Sequence, residues 1–492
     1  MSKKDKSKEN KTRIEEQQCL FVDVKKSQDK QNKKLEKQTR KLEKKQAKLA
    51  RREERKRQKE LNNHSNDDVA VYNDDGKWFR LDNAGTIYPA VVKEGYMFVY
   101  RFSAVLTDVV DEHVLQQAVN DILPRFPTFN VSLRRGVFWY YLERRNMSIK
   151  VEQEKDFPCR PFELGWGKPL IRFLYFKNRV MFECFHALAD GRSSLQLFNT
   201  LLRRYFELKG NNITGYEGCL NYKDMPREEE AEDSFMVYSQ SGLKNKMREK
   251  KAFKIKGTLE DGGVLNTINI VMSVKNVKMI AKSHDCGIYV FLCAVMAYSL
   301  AKRHKNAKKP FKISVPIDLR AFFESKTHRN FSSYINVEIY AKKDLAFDEV
   351  VDCFKQAFTK INKDYLQGNI NANTGLQKNW FIKSQPLFIK DIVMKICYKI
   401  MGEDFQTLAV SNIGVVQVPP EFQNLVERYE VNLGKNKHNS KTAGLISYKD
   451  NMVMTISSKI AENTFERDYV RLLSEMGVQC VVESNRRDKY AR

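Results

Sequence analysis

The stretch from Pro169 to Phe206 constrains this chain most, because it ties two hydrophobic strand patterns to a helix pattern through a single histidine. Pro169–Phe176 and Val180–Phe185 are β-rich runs separated by the turn-like Lys177-Asn178-Arg179, which predicts a hairpin. The second run closes on His186, and Asp190 and Gly191 follow four and five residues later. Ser193 and Ser194 are helix-start residues, and Leu195, Phe198, Leu202 and Phe206 recur at helical spacing, so an amphipathic helix is predicted from there. His186 therefore stands where a strand stops and a helix is about to begin, on fixed backbone from which a polar side chain can face a cleft.

That placement suits acid–base chemistry. An imidazole with an ordinary pKa of ~6.5 takes and returns a proton near neutrality, so it can deprotonate a hydroxyl or amine as that group attacks a carbonyl. Asp190 has two possible jobs: to hydrogen-bond the imidazole, or to pair with a distant cation and hold the loop in shape. Gly191 permits a backbone conformation or a close approach that a Cβ would forbid. A catalytic zinc takes about three protein ligands, and no nearby His, Cys or Glu completes a set around His186 and Asp190, so no metal is expected. Cys184 shares the strand face of His186 and reads as a small buried apolar residue rather than a nucleophile.

Four stretches in order carry a resemblance. They are Trp78–Pro89 (WFRLDNAGTIYP), Leu123–Phe129 (LPRFPTF) with the strand-like Val137–Leu142 after it, His186–Gly191, and the pair Val315–Arg320 (VPIDLR) and Ser411–Gly414 (SNIG). Over roughly residues 76 to 485 the chain resembles the chloramphenicol acetyltransferase-like, condensation-domain superfamily, and within it bacterial proteins similar to alcohol acetyltransferases. The resemblance implies a mixed α/β (α+β) fold of two lobes, each a mixed sheet backed by helices, with a channel between them. It also implies an acyltransferase, of the O-acyltransferase kind, moving an acyl group from a thioester to an alcohol or amine without a covalent acyl-enzyme. Carried over by residue, His186 matches the base, Asp190 the structural carboxylate, Gly191 the following glycine, and Arg320 the arginine that pairs with that carboxylate. Ser411 and Asn412 match a segment near the channel. The co-substrate implied is acyl-CoA or an acyl-carrier thioester, with no permanently bound cofactor. Phe185 stands where many peptide-forming condensation domains carry a second histidine, which speaks against the peptide-synthetase branch. Gly165-Trp166-Gly167-Lys168-Pro169 mimics a plant acyltransferase motif but precedes His186, so it is coincidental.

Charge divides the chain. Residues 1–60 hold 23 Lys+Arg against 11 Asp+Glu, a net +12, and the remainder holds 63 against 50, a net +13 of the total +25. Half of the basic excess thus belongs to an N-terminal arm, and no specific nucleic-acid footprint is expected on the fold. The arm, residues 1–66, is a candidate for contact with an anionic surface. Leu35, Leu42 and Leu49 fall at heptad spacing, but Thr39 and Gln46 occupy the partner positions, so a coiled-coil seam is only half built. No run of ~18 apolar residues predicts a spanning helix, the charged start predicts no secretory leader, and scattered cysteines without a CxxC pair predict free thiols in the cytoplasm. The expected partition is an arm and linker (1–75), an N-terminal lobe (76–208), a polar connection suited to a crossover or lid (209–263), and a C-terminal lobe (264–492).

Two further segments bear on function. Phe291, Val295, Met296 and Leu300 form an apolar helical stripe, read as core ahead of an acyl pocket. Arg320 follows the strand candidate Phe311–Ile317; with Asp190 across the same interface, a bidentate guanidinium would supply the partner a buried carboxylate needs. Arg329–Tyr334 follows, and its side chains, Ser332 among them, either line the channel or cap a loop. No P-loop or placed GxGxxG appears, leaving phosphoryl transfer and dinucleotide chemistry unsupported. The acyltransferase reading stands against one alternative, a non-catalytic scaffold of the same fold whose basic arm binds RNA or anionic membrane.

Overall fold

The computed structural model describes residues 78–92, 97–144, 147–241, 250–260, 264–401, 403–435 and 439–486. The arm, its leucine repeat and the linker to residue 75 lie outside the described residues. Fifteen described strands make three sheets. β1 (Trp78–Arg80), β3 (Val131–Arg135) and β4 (Tyr140–Arg144) form a small antiparallel sheet in the order β1-β4-β3. β2 (Val99–Leu106), β5 (Val151–Gln153), β6 (Ile171–Phe176), β7 (Arg179–Phe185) and β12 (Val426–Leu433) form a mixed sheet in the order β12-β2-β7-β6-β5. The third holds β8 (Asn266–Ser273), β9 (Phe311–Asp318), β10 (Ser332–Ile339), β11 (Leu408–Val415), β13 (Lys441–Tyr448), β14 (Asn451–Ser458) and β15 (Cys480–Ser484), in the order β10-β9-β11-β13-β14-β8-β15.

The predicted hairpin is β6–β7, antiparallel, with Lys177 in the left-handed region at the turn (φ 51°). Strand alternation sorts its two faces and those of β2. Phe102 of β2 and Phe182 of β7 sit opposite one another and stack on Phe198 of the helix Gly191–Leu208. On the other face Arg101 and Arg172 flank Glu183 in register, donating to it at 2.8 and 2.6 Å. A fully buried carboxylate is tolerable there because both cations and the Cys159 N–H (2.6 Å) satisfy it.

The helix begins at Gly191, two residues before the predicted serine start. Asp190 is its N-cap, accepting from the Ser193 N–H at 3.3 Å. Ser193 and Ser194 are buried inside the first turn. The stripe of Phe291, Val295, Met296 and Leu300 lies in the helix Ile288–Arg303 and is buried against the seven-stranded sheet, as core. No single described helix is long and apolar enough to cross a membrane; the bent pair Val274–Ser283 and Ile288–Arg303 passes by length and composition only, and its second helix is this core.

The chain does not divide cleanly in sequence. β12, from the C-terminal part of the chain, completes the N-terminal sheet by pairing antiparallel with β2 over Val426–Leu433. It then crosses β13 so closely that a Cβ on Gly444 would lie 2.7 Å from the Val431 carbonyl oxygen, a contact only glycine accommodates. The described part of the polar connection contacts both halves. Glu230 takes two hydrogen bonds from Arg125, at 2.6 and 2.5 Å, and its carbonyl accepts from the His328 N–H at 2.7 Å.

Candidate active site

His186 leaves the end of β7 and is gripped from three sides. Its N–H donates to the Phe98 carbonyl at 2.8 Å. Tyr88 stacks on the imidazole (centroids 5.0 Å, 21°), and Tyr100 meets it edge-on (5.1 Å, 73°). The Tyr100 hydroxyl shares its hydrogen bonding among the Ala189 carbonyl (2.9 Å), the Asp190 carbonyl (3.2 Å) and Ser194 Oγ (2.6 Å), which locks the loop behind the ring. Burial lowers the His186 pKa below its ordinary value; its own backbone, Asp190 and Asn330 oppose that shift without cancelling it. Burial thus favours the neutral ring.

Its tautomer follows from Asn330. The Asn330 amide nitrogen lies 3.1 Å from the His186 carbonyl oxygen, which can only accept, and 3.1 Å from Asp82 Oδ2. The NH₂ group must face those acceptors, so Oδ1 faces His186 Nδ1 at 3.1 Å and accepts its proton. Nε2 is left bare, the form a general base requires. Asp82 anchors the amide in turn. It takes the Asn330 N–H at 3.3 Å and the Gly85 N–H at 2.5 Å, with Arg329 Nε 3.5 Å away, and burial raises its pKa against the pull of Arg329.

Asp190 turns away from the imidazole to Arg320, so of its two possible jobs the geometry supports the second. Arg320 donates to Asp190 Oδ2 at 2.7 Å, to Asp318 Oδ1 at 3.0 Å, and to the carbonyls of Thr327 and Arg329 at 2.9 and 2.7 Å. The Phe331 N–H adds 3.0 Å to the same Asp190 oxygen. Burial disfavours the guanidinium charge, but Asp190 and Asp318 outweigh it and raise the Arg320 pKa. Both side chains are buried, and the pair joins the start of the helix Gly191–Leu208 to the segment after β9.

A cavity of about 1470 Å³ opens between the two larger sheets. His186, Gly191, Ser332, Ser411 and Asn412 all line it. Ser332 opens β10; Ser411 and Asn412 lie on β11, where a bulge puts Gly414 N–H on Asn412 Oδ1 at 3.0 Å. A Cβ on Gly191 would meet Ile413 Cδ1 at 2.9 Å, the tip of a side chain that can turn aside, so the glycine is not required by close approach alone.

No family model and no curated protein matches the chain. Solved structures do match. The first condensation domain of the calcium-dependent antibiotic synthetase is 10% identical at a TM-score of 0.55, covering 81% of this chain and 96% of that one. Polyketide synthase associated protein 5 from Mycobacterium tuberculosis is 12% identical at 0.53, covering 82% and 98%. The epimerization domain from the third module of tyrocidine synthetase B is 10% identical at 0.50, covering 81% and 96%. This chain has the condensation-domain fold. At these identities the likeness is one of fold, and the chemistry rests on the residues above.

Within the condensation fold, Cys184 is fully buried in β7 and burial pushes its thiol up to about 12, which keeps it protonated and unreactive. Among the described residues no group of three or more His, Cys, Asp or Glu is arranged to hold a metal. Sequence reading placed Asn330 only as a possible channel amide, and Asp82 and Tyr88 only within the opening segment. The contacts of Asn330 and Tyr88 with His186, and of Asp82 with Asn330, join positions as far as 248 residues apart, a separation that no spacing rule spans. The one local signal was the Trp78–Pro89 stretch, which carries both the stacking tyrosine and the anchoring aspartate.

Proposed function

We propose that this protein is an acyltransferase that moves an acyl group from a thioester, acyl-CoA or an acyl-carrier, to an alcohol or amine, with His186 as general base. The observation that carries it is His186 lining a cavity of about 1470 Å³ with its Nδ1 held by Asn330 Oδ1, which leaves Nε2 as the base. That volume exceeds the ~300–1,000 Å³ of ordinary ligand pockets and leaves room for donor and acceptor together. In the proposed step Nε2 takes the proton of the acceptor O–H or N–H as that atom attacks the thioester carbonyl. The tetrahedral intermediate then expels the thiolate, which takes the proton back from the imidazolium. Asn330 holds the productive tautomer, and Asp190 with Arg320 holds the loop.

The alcohol acetyltransferase-like branch is the finer proposal, supported by Phe185 before the base. The free cysteines among the described residues accord with a reducing compartment such as the cytoplasm. The histidine, its tautomer anchor and its bare nitrogen are of no use to a scaffold, which favours the enzyme over the binding-only alternative.

The test is thiol release from short and long acyl-CoAs against a panel of alcohols and amines. Acceptor-dependent release that vanishes in His186→Ala supports the proposal; no release with any pair overturns it. Direct transfer further expects no acyl-enzyme. An acylated Cys184 trapped by mass spectrometry would replace the direct route with a covalent one.

A further inference from the structure

One surface of the molecule inverts the usual pattern of a helix packed on a globular protein. In the helices Trp380–Lys383 and Leu387–Met401, Trp380 is 79%, Phe381 66% and Phe388 59% exposed. Ile392 and Ile396 are more than half exposed. Phe388, Ile392 and Ile396 recur every four residues and so share one outward face. The inward side of the same helix is already occupied: Leu387 is buried, and Met394 and Tyr398 line the channel.

The tip of the β3–β4 hairpin extends this face. The Leu387 N–H donates to the Val137 carbonyl at 2.8 Å and Lys390 Nζ to the Phe138 carbonyl at 2.9 Å, so exposed Val137, Phe138 and Trp139 adjoin the helices. Cations rim the patch. Lys383 and Lys395 are exposed, and the Arg80 guanidinium lies 4.9 Å from the Trp139 ring centre. The helix's acid, Asp391, is occupied by the Tyr140 hydroxyl at 3.1 Å.

We infer that this face docks on a lipid bilayer bearing anionic headgroups. Tryptophan and phenylalanine beside aliphatic side chains, with lysines whose stems can reach up to headgroups, match the composition of an interfacial helix. Charge selects among occupants. A second copy would set lysine against lysine, and the N-terminal arm, with 23 Lys+Arg against 11 Asp+Glu in residues 1–60, carries the same sign as the rim. An anionic bilayer complements both the apolar face and its rim. The inference stands apart from acyl transfer, since it concerns the outer face of the helix and not its chemistry.

The experiment is flotation of the full chain with vesicles of phosphatidylcholine alone or mixed with phosphatidylglycerol, read together with tryptophan quenching by brominated lipid. The basic arm can also attach to anionic vesicles, so each arm of the test is repeated at about 1 M salt, where the Debye length of ~3 Å suppresses purely electrostatic attachment. Binding to the mixed vesicles that persists in part at high salt is expected, with quenching reduced in Trp380→Phe and lost when Trp139→Phe is added, since both rings lie on the docking face. Trp380→Ser with Phe381→Ser and Phe388→Ser should cut the salt-resistant bound fraction about tenfold. Lys383→Glu with Lys395→Glu, both exposed, should weaken low-salt binding. No flotation, binding that salt abolishes completely, or quenching unchanged in the double variant Trp139→Phe with Trp380→Phe would overturn the inference. So would concentration-dependent dimerisation that the serine variant abolishes, which would assign the face to a second copy.

Discussion

Two polar links cross the seam between the halves a few residues apart, and they are built in opposite ways. Arg320 spends its donors on two carboxylates, the Ser193 hydroxyl and two backbone carbonyls, and Asp190 adds a helix cap and the Phe331 N–H. Loss of any one contact leaves others to hold the geometry. His186 keeps one side-chain hydrogen bond, on Nδ1, and its position is set by rings above and beside it. The contrast separates a part that must not move from a part that must exchange a proton: redundancy serves the first and would disable the second.

The largest effect expected is on turnover. His186→Ala should lower kcat by roughly 100- to 10,000-fold with little change in thermal stability, because the ring borders the cavity. A large stability loss would move His186 to the structural side of the comparison. Asp190→Ala should do the reverse, costing about 3–5 kcal/mol in denaturant unfolding because it leaves the Arg320 charge buried without its main partner. An unchanged midpoint would mean that the seam does not depend on the pair.

His328 sharpens the contrast through pH. Burial lowers its pKa to about 4 from an ordinary 6.5. Between these values the unfolded chain binds more protons than the folded one, so stability contributed by the neutral ring is full above pH ~6.5 and is lost as pH falls towards 4. His328→Gln should flatten that slope by up to about 3 kcal/mol, read from unfolding at a series of pH values. The smallest effect is expected at Asn330. Asn330→Ala should lower kcat about tenfold, with KM little changed, by freeing the imidazole to adopt the other tautomer. Because Asn330 helps to raise the His186 pKa, its removal should also shift the acid limb of the pH–rate profile downward. An unmoved limb would make Asn330 a packing residue only.

Periodicity carried the hairpin, the helix after it and the buried stripe of Phe291, Val295, Met296 and Leu300, because local hydrophobic pattern determines which face goes inward. The pairing of Asp190 with Arg320 was legible through family resemblance, since nothing local joins residues 130 apart. The helix start was misplaced because Ser193 and Ser194 resemble caps as well as Asp190 does, and only the β-region backbone of Asp190 (φ −88°, ψ 178°) distinguishes the true cap. Asn330 and Asp82 stayed hidden for a different reason. Their role exists only once a loop from one half is laid against a strand end of the other. The passage of β12 into the N-terminal sheet was equally silent, since an alternating strand pattern does not say which edge it will join.

That strand has a consequence during synthesis. β2 and β12 meet across more than 300 residues of chain, as the neighbouring contact between Thr107 and Leu425 illustrates. While the ribosome is still making the second half, β2 presents one unpaired edge, a row of backbone donors and acceptors that invites foreign strands. The nascent N-terminal half cannot finish its own sheet, however long translation pauses after residue 208. The active-site seam therefore matures only late in translation, when residues 426–433 emerge and close that edge.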